Sequence, residues 1–321
     1  RFQTEGENKV FPETGGARAV LKILEEELRK NDVKVFFNSR VGELLVKQGK
    51  VHAVKLGDGK IIPCDSVILA TGGITYPSTG SSGDGQKLAE KAGHEITQLI
   101  PALAPLCAEQ PFVASLEGLS MENIVIRINK SNGKKTIAGP GDIMFTKKGI
   151  SGPLVLSLSG DVNGLLEKGE SVYLELDLYP ALSKEELDRA LTEEAKKTAG
   201  KNMDNVLNKF LPKRLSSTIM FIAGIAEDKK INQLTRDERQ RLSSIIKGLR
   251  LDIVKDRSPD NAMITRGGVS IKEINPRTME SRKVRGLYFA GEIMDIDADT
   301  GGFNLQAAFS TGDLAGSCAA V

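Results

Sequence analysis

The sequence predicts an α/β fold in which short buried strands from both ends of the chain share one sheet, interrupted by a β-rich and then helical insertion. Three observations carry that expectation. Val67-Ile68-Leu69-Ala70 and Gly286-Leu287-Tyr288-Phe289-Ala290-Gly291 are apolar runs that lead into glycine, the pattern of parallel strands buried on both faces. Residues 104–178 instead break into short apolar runs separated by Gly, Asn and Lys. Residues 183–250 carry helical periodicity.

In chain order, Val20, Leu21, Leu24 and Leu28 fall at helical spacing, with Glu25, Glu26 and Glu27 mostly off that stripe, and predict an amphipathic helix over 17–30. Asn31-Asp32 ends it, and Val33-Lys34-Val35-Phe36-Phe37 reads as a strand. Further strands are expected at 41–46, 50–56 and 60–63, turned by Gly49 and Asp58-Gly59. Residues 86–92 read as a helix stopped by Gly93. Composition shifts near Pro101, and 104–178 reads as an antiparallel sheet or small barrel with Ile124-Val125-Ile126, Leu154-Val155-Leu156 and Val172-Tyr173-Leu174-Glu175-Leu176 as strands. Ser183 with Glu186, and Thr235 with Glu238, have capping-box spacing and are expected to start helices. After Ser258-Pro259 short strands and glycine turns return, and 304–320 suits a closing helix. The expected organisation is 1–100 and 262–321 as one discontinuous domain. Residues 101–261 form the insertion, β-rich over 101–180 and mainly helical over 181–261.

Several function classes are disfavoured by composition. The 44 basic and 42 acidic residues leave a net charge of +2, which demands no polyanionic partner. Residues 183–260 hold seventeen Lys and Arg against thirteen Asp and Glu, without interleaved aromatics, which reads as a solvated helical face rather than a nucleic-acid surface. No apolar run reaches the ~18–20 residues of a membrane span. Cys64, Cys107 and Cys318 are scattered, so the expected compartment is a reducing cytoplasm. Two histidines, His52 and His94, cannot build a histidine-rich metal site, and no metal is expected. The chain opens on Arg1 rather than Met, which suggests a piece of a longer protein.

Glycine is the informative excess, 33 of 321 residues against a usual ~7%. Three clusters share one grammar, with a buried strand delivering the backbone into a small-residue turn. They are Ala70-Thr71-Gly72-Gly73 with Thr79-Gly80-Ser81-Ser82-Gly83-Asp84-Gly85, then Thr265-Arg266-Gly267-Gly268-Val269, then Gly291-Glu292, Asp295 and Gly301-Gly302-Phe303-Asn304. Main chain without Cβ approaches a ligand closely, and a helix start beyond it presents N–H groups to anionic oxygen. A carboxylate just past a parallel strand accepts hydrogen bonds from sugar or polyol hydroxyls. The plain alternative is that each cluster is only a tight turn. No G-x-G-x-x-G follows a first strand, so a dinucleotide's pyrophosphate loop would have to lie upstream of Arg1.

Those clusters, together with Phe11-Pro12, Gly149-Ile150-Ser151-Gly152-Pro153, Thr278-Met279-Glu280-Ser281 and Leu305-Gln306, stand in the order found in a bacterial flavoprotein family. The chain resembles the NAD(FAD)-utilising dehydrogenases, also known as BaiN-like or aminoacetone-oxidase-like FAD-binding enzymes. It is more distantly similar to fumarate reductase and succinate dehydrogenase flavoproteins. The resemblance covers nearly the whole chain. It implies a glutathione-reductase-type FAD-binding domain, incomplete at the N-terminus, carrying the insertion. By position it implies that Val41 meets the adenine side of FAD, and that Thr71, Gly72 and Gly73 pass near the pyrophosphate and ribityl chain. Gly83, Asp84 and Gly85 would help enclose the flavin, and Gly267 and Gly268 are further expected cofactor contacts. Glu292 and Asp295 would hydrogen-bond the ribityl or pyrophosphate side, Gly302, Phe303, Asn304 and Leu305 would line the isoalloxazine edge, and Gly291 and Gly301 are further expected cofactor contacts.

Arg266 and Tyr76 are the candidates for catalytic work, the first as a cation facing an anionic group, the second as a proton donor or stacking partner. Their plain alternatives are a turn arginine and a half-buried loop tyrosine. His94 reads as a helix-end cap, His52 as exposed, and Cys64 as structural. The expected function is an FAD-dependent oxidoreductase passing hydride between flavin N5 and a small unsaturated or amine substrate, with NAD(P)H open as a transient reductant. The alternatives are a flavin-binding protein whose insertion is a docking or RNA-interaction module, and a nucleotide-binding sensor without turnover.

Overall fold

A computed structural model describes residues 2–5, 9–14, 16–130, 133, 135–198, 200–226, 228–256 and 261–320; the composition change at Ser258-Pro259 lies outside them. Elements run β1 (Phe2–Glu5), β2 (Lys9–Pro12), α1 (Gly16–Lys30), β3 (Val41–Lys47), β4 (Lys50–Leu56), β5 (Ile61–Pro63), β6 (Val67–Leu69) and α2 (Asp84–Lys91). There follow β7 (Ile100–Ala102), β8 (Leu106–Ala108), α3 (Phe112–Ser115), β9 (Ser120–Lys130), β10 (Lys135–Thr146), β11 (Gly149–Ser151), α4 (Pro153–Glu167) and β12 (Val172–Asp177). The rest are α5 (Lys184–Lys197), α6 (Met203–Leu207), α7 (Lys213–Ala223), α8 (Arg236–Ile246), β13 (Leu249–Val254), β14 (Ile264–Arg266), β15 (Leu287–Phe289) and α9 (Phe303–Ala319). The chain divides into two compact units, one of 1–73, 83–97 and 267–321, the other of 74–82 and 98–266.

In the first unit β6 and β15 pair in parallel, with Leu287 beside Val67, Tyr288 beside Ile68 and Phe289 beside Leu69. A separate antiparallel sheet, β3-β4-β5, follows the turns that Gly49 and Gly59 supply. The core gathers Leu69, Leu88, Val269, Leu287, Phe289 and Ile293. The expected strand over 33–37 does not form. Extended, β-prone backbone becomes a strand only where a neighbour accepts its ladder. No described strand pairs with this segment, and Phe37 stands 82% exposed. Likewise α1 forms at the expected place, yet none of its residues is buried.

The second unit is built on a closed barrel in the strand order β10-β11-β8-β13-β12-β9. Ile124, Ile126 and Ile128 point inward at the two-residue period of a strand and meet Phe145, Leu174 and Leu251 in a filled core. Two expectations are corrected here. Leu154-Val155-Leu156 lies in α4, not in a strand. Pro153 occupies the first helical turn, where its missing N–H costs nothing, and the apolar run is too short for its period to separate helix from strand. Residues 249–254, partly inside the stretch read as helical, form β13 between β12 and β8 and close the barrel. Both capping boxes form, Ser183 with Glu186 and Thr235 with Glu238. Lys229 and the Thr235 amide together hold the Glu238 carboxyl down at about 2.

His94 caps the end of α2 as the sequence suggested, on the Ala89 carbonyl, but as a neutral ring inside the core of the first unit rather than a charged one, 3% exposed and edge-on to Phe289. Its Nδ1 lies 3.2 Å from the Ala89 carbonyl and its Nε2 2.8 Å from Ser281 Oγ. A carbonyl only accepts, so the proton belongs on Nδ1 and the Ser281 hydroxyl donates to Nε2. That tautomer is neutral. Burial pushes the imidazole pKa below its ordinary 6.5, outweighing Glu273, which acts in the other direction. Below about pH 6.5 the unfolded chain therefore binds a proton that the folded chain resists, and stability is lost as pH falls. Thermal unfolding midpoints should be level above neutrality and decline from about pH 6.5 toward 5, and His94→Gln should flatten that decline. An unchanged slope in the variant would remove His94 as its cause.

Candidate functional site

Parallel strands deliver their ends to one edge of a sheet, and open α/β sheets bind ligands at the carboxyl edge. Here β6 hands Leu69 into Ala70-Thr71-Gly72-Gly73, while β15 hands Phe289 into Ala290-Gly291-Glu292. The two corners are tied where they leave the strands, with the Ala290 amide donating to Leu69 O at 3.0 Å. The first and third glycine clusters thus open side by side.

Close packing draws in the rest of the first unit's cluster residues. The Gly83 amide donates to Gly73 O at 3.2 Å, and α2 starts directly beyond. Gly85 in that first turn lies so near the corner that a Cβ would stand 1.9 Å from Thr71 Oγ1 and 2.8 Å from Ile293 Cδ1. Gly268, at φ +152°, lies as close on another side, where a Cβ would stand 2.4 Å from Ile293 O. The Val269 amide donates to that same oxygen, and the Asp295 amide donates to Val269 O, each at 2.9 Å. Ile293 is fully buried. Gly85 and Gly268 thereby meet the short turn Gly291–Ile293, with Thr71 against Gly85, Gly73 bonded to Gly83 and Asp295 bonded to Val269. Gly267, at φ +89°, and Gly72, at φ +72°, are next in the chain to these contacts.

The α9 start adds a further wall. Gly302 caps it in the left-handed region at φ +89°, with no side-chain cap and open space where a Cβ would be. First-turn N–H groups have no acceptor within their own helix and favour anionic oxygen. Gly301, at φ +132°, makes the turn into this cap. Asn304 donates from Nδ2 to Ala298 O at 2.7 Å and accepts from the Ala298 amide at 3.0 Å, so its amide fastens the preceding loop. Thr311 Oγ1 accepts from the Gly291 amide at 3.0 Å and donates to Ala307 O at 2.6 Å, holding α9 to the β15 corner. Gly291, Glu292 and Asn304 share a crevice with Ile296, Ala307 and Thr311. Phe303 and Leu305 face solvent.

Asp84 accepts from Arg40 at 2.6 Å and lies 3.7 Å from Lys87 Nζ. Its charge holds the Arg40 guanidinium more firmly protonated, and it links the α2 start to the chain just before Val41, the first residue of β3. The sequence reasoning missed Gln86. This side chain is 2% exposed and donates from Nε2 to Gly72 O at 2.8 Å, while its Oε1 is buried without a hydrogen-bond partner. The available signal was its place on α2, three residues before buried Ala89 and so on the same helix face.

Both catalytic candidates belong to the second unit. Arg266 pairs with Asp161 at 2.6 Å, its guanidinium lying so close over α4 that a Cβ on Gly160 would stand 2.6 Å from its Cζ. Tyr76 is 47% exposed at φ +55°, its carbonyl taking the Thr79 hydroxyl at 2.8 Å. His52 is exposed on β4, and burial with Asp65 raises the Cys64 thiol pKa. Among the described residues no group of His, Cys, Asp and Glu could hold a metal ion.

Backbone cannot step aside for a methyl group, so Gly268→Ala should cost about 2–3 kcal/mol or more from steric and φ strain together. Gly85→Ala should cost less, because Thr71 and the Ile293 methyl can turn away. Urea unfolding of the two variants checks the order, and equal midpoints would mean the Gly268 backbone yields as readily as side chains do.

Residues 1–318 match the family described as HI0933-like protein Rossmann domain. The chain is 32% identical to the 3-dehydro-bile acid delta(4,6)-reductase of Clostridium scindens over 97% of its own length and 75% of that protein's. It is 31% identical to the ribosomal RNA dihydrouridine synthase of Escherichia coli over 92% of this chain and 70% of that one. Among solved structures, Mycobacterium smegmatis Sdh1 in complex with UQ1 aligns with 100% of this chain and 52% of its own, at 17% identity. The TM-score is 0.39, and the chain spans about half the length of that structure. The chain belongs to the HI0933-like Rossmann-domain family, with an FAD-binding Rossmann-type fold and a named reductase among its relatives, and so stands among the FAD-dependent oxidoreductases.

Proposed function

We propose that this protein saturates or forms a carbon–carbon double bond conjugated with a carbonyl, using FAD held at the carboxyl edge of β6 and β15. The observation that carries the proposal is the convergence of the glycine corners at that edge. The residues present fit such a group. Two bare corners open together, α9 begins with uncapped N–H groups, and Gln86 keeps a buried acceptor without a donor. Thr71, Gly72, Gly73, Gly83, Gly85, Gly267, Gly268, Gly291 and Gly301 would serve through backbone, and Glu292 and Asp295 through hydrogen bonds to hydroxyls. Val41 and Asp84 would bound the site beside α2, and Gly302, Phe303, Asn304 and Leu305 would bound it at the α9 start. When bound, FAD supplies hydride chemistry at N5. The chain's own part is to bind, orient and place positive backbone dipole near a site where negative charge develops.

Of the two substrate classes the sequence left open, the unsaturated one is favoured over the amine. A delta(4,6)-reductase and a dihydrouridine synthase, named in the relatives, both act on double bonds conjugated with a carbonyl. NAD(P)H is the proposed transient reductant. Residues 101–261 are the proposed substrate-selecting insertion, and Arg266 and Tyr76, outside those bounds but in the same compact unit, are the proposed catalytic candidates. A second reading, in which the helical part of that insertion meets RNA, is favoured by the relatives named for ribosomal RNA. Steep salt dependence of RNA binding would support it. No helix among the described residues is long and apolar enough to cross a membrane.

The purified protein should bind FAD and show the visible bands of oxidised flavin, bleached by NADH or NADPH under anaerobic conditions. A conjugated enone should restore the bands, and a simple amine should leave oxidised flavin unchanged. Gly302→Val, which fills the open approach at the α9 cap, should lose the flavin. Full retention of colour in that variant, or bleaching by amines alone, would contradict the proposal.

A further inference from the structure

Gln86 stands apart from the other polar groups of the first unit. Asn304, Thr311, His94 and Ser281 have their hydrogen-bonding atoms engaged within the fold. Gln86 has one atom engaged and one not. Its amide nitrogen must face the Gly72 carbonyl, since that oxygen can only accept, and the Oε1 is left buried without a donor. A buried acceptor without a partner is costly and uncommon in folded proteins, and marks a place where a missing partner is expected. The carbonyl it holds belongs to the Thr71-Gly72-Gly73 corner, and Gly72 itself is in the left-handed region at φ +72°. The same helix turn is pressed against Thr71 through Gly85.

We infer that Gln86 is a positioning residue for the cofactor. It fixes the Gly72 carbonyl through Nε2 and keeps Oε1 for an O–H or N–H donor that arrives with the ligand. The inference rests on the proposed FAD site and adds to it a specific coupling between corner and ligand. A glutamine with a merely structural role would support the protein equally with and without cofactor. A glutamine whose second bond is completed by the ligand contributes more when the ligand is present. In the free protein, Gln86→Leu loses the bond to Gly72 but also removes the orphaned oxygen, so the two effects offset. In the loaded protein only the loss remains.

The test measures thermal unfolding of full-length wild type, Gln86→Leu and Gln86→Met, with and without saturating FAD, beside FAD titrations by fluorescence quenching. The expected result is that the free variants unfold near the wild-type temperature. Their FAD-induced rise in unfolding temperature should shrink, and their Kd for FAD should rise about tenfold or more. Variants that lose stability equally with and without FAD, at unchanged Kd, would overturn the role assigned to Gln86 while leaving the cofactor site in place. A wild-type protein that neither binds FAD nor is stabilised by it would overturn the proposed function and this inference together.

Discussion

The architecture of the first unit depends on backbone approaching backbone more closely than any Cβ allows. Gly268 meets the Ile293 carbonyl and Gly85 meets Thr71 and Ile293, so three segments far apart in sequence lock around one buried isoleucine. A side chain at Gly268 would have to push peptide groups apart, which a packed interior resists. That constraint sets where the β6 and β15 corners end and where α2 begins. Gly85 and Gly268, expected from sequence to contact ligand, act in the fold as packing devices. Gly302 is different in kind, since nothing crowds it and it leaves space at the α9 start.

A second regularity concerns the polar side chains around that edge. Asp84 is occupied by Arg40, Asn304 by Ala298, Thr311 by Gly291 and Gln86 by Gly72. The last three hold main chain in place. As the proposed cofactor site, this edge would recognise ligand shape and anionic oxygen through fixed dipoles that need no reorganisation.

The parallel pair was legible because Val67-Ile68-Leu69 and Leu287-Tyr288-Phe289 are unbroken apolar runs ending in glycine, a pattern few other environments produce. The capping boxes at Ser183 and Thr235 were legible because their chemistry is local. What failed was non-local. Val33–Phe37 has the composition of a strand, but a strand exists only by virtue of its neighbour. Leu154-Val155-Leu156 carries no period long enough to decide, and Pro153 was the overlooked cue for a helix. His94 was legible as a helix cap from its place after Gly93, but its burial and neutral state follow from Phe289 and Ser281, nearly two hundred residues on. Gln86 had no signature of its own, because an orphaned oxygen is visible only once its surroundings are known.

Amide hydrogen exchange with and without FAD tests the central claim most directly, because it reads the backbone groups themselves. The account predicts slowed exchange on FAD addition at the amides of residues 71–73, 291–295 and 303–305, with the barrel strands unaffected. Protection confined to the barrel, or none anywhere while FAD binds, would contradict the assignment of these corners as the cofactor's cradle.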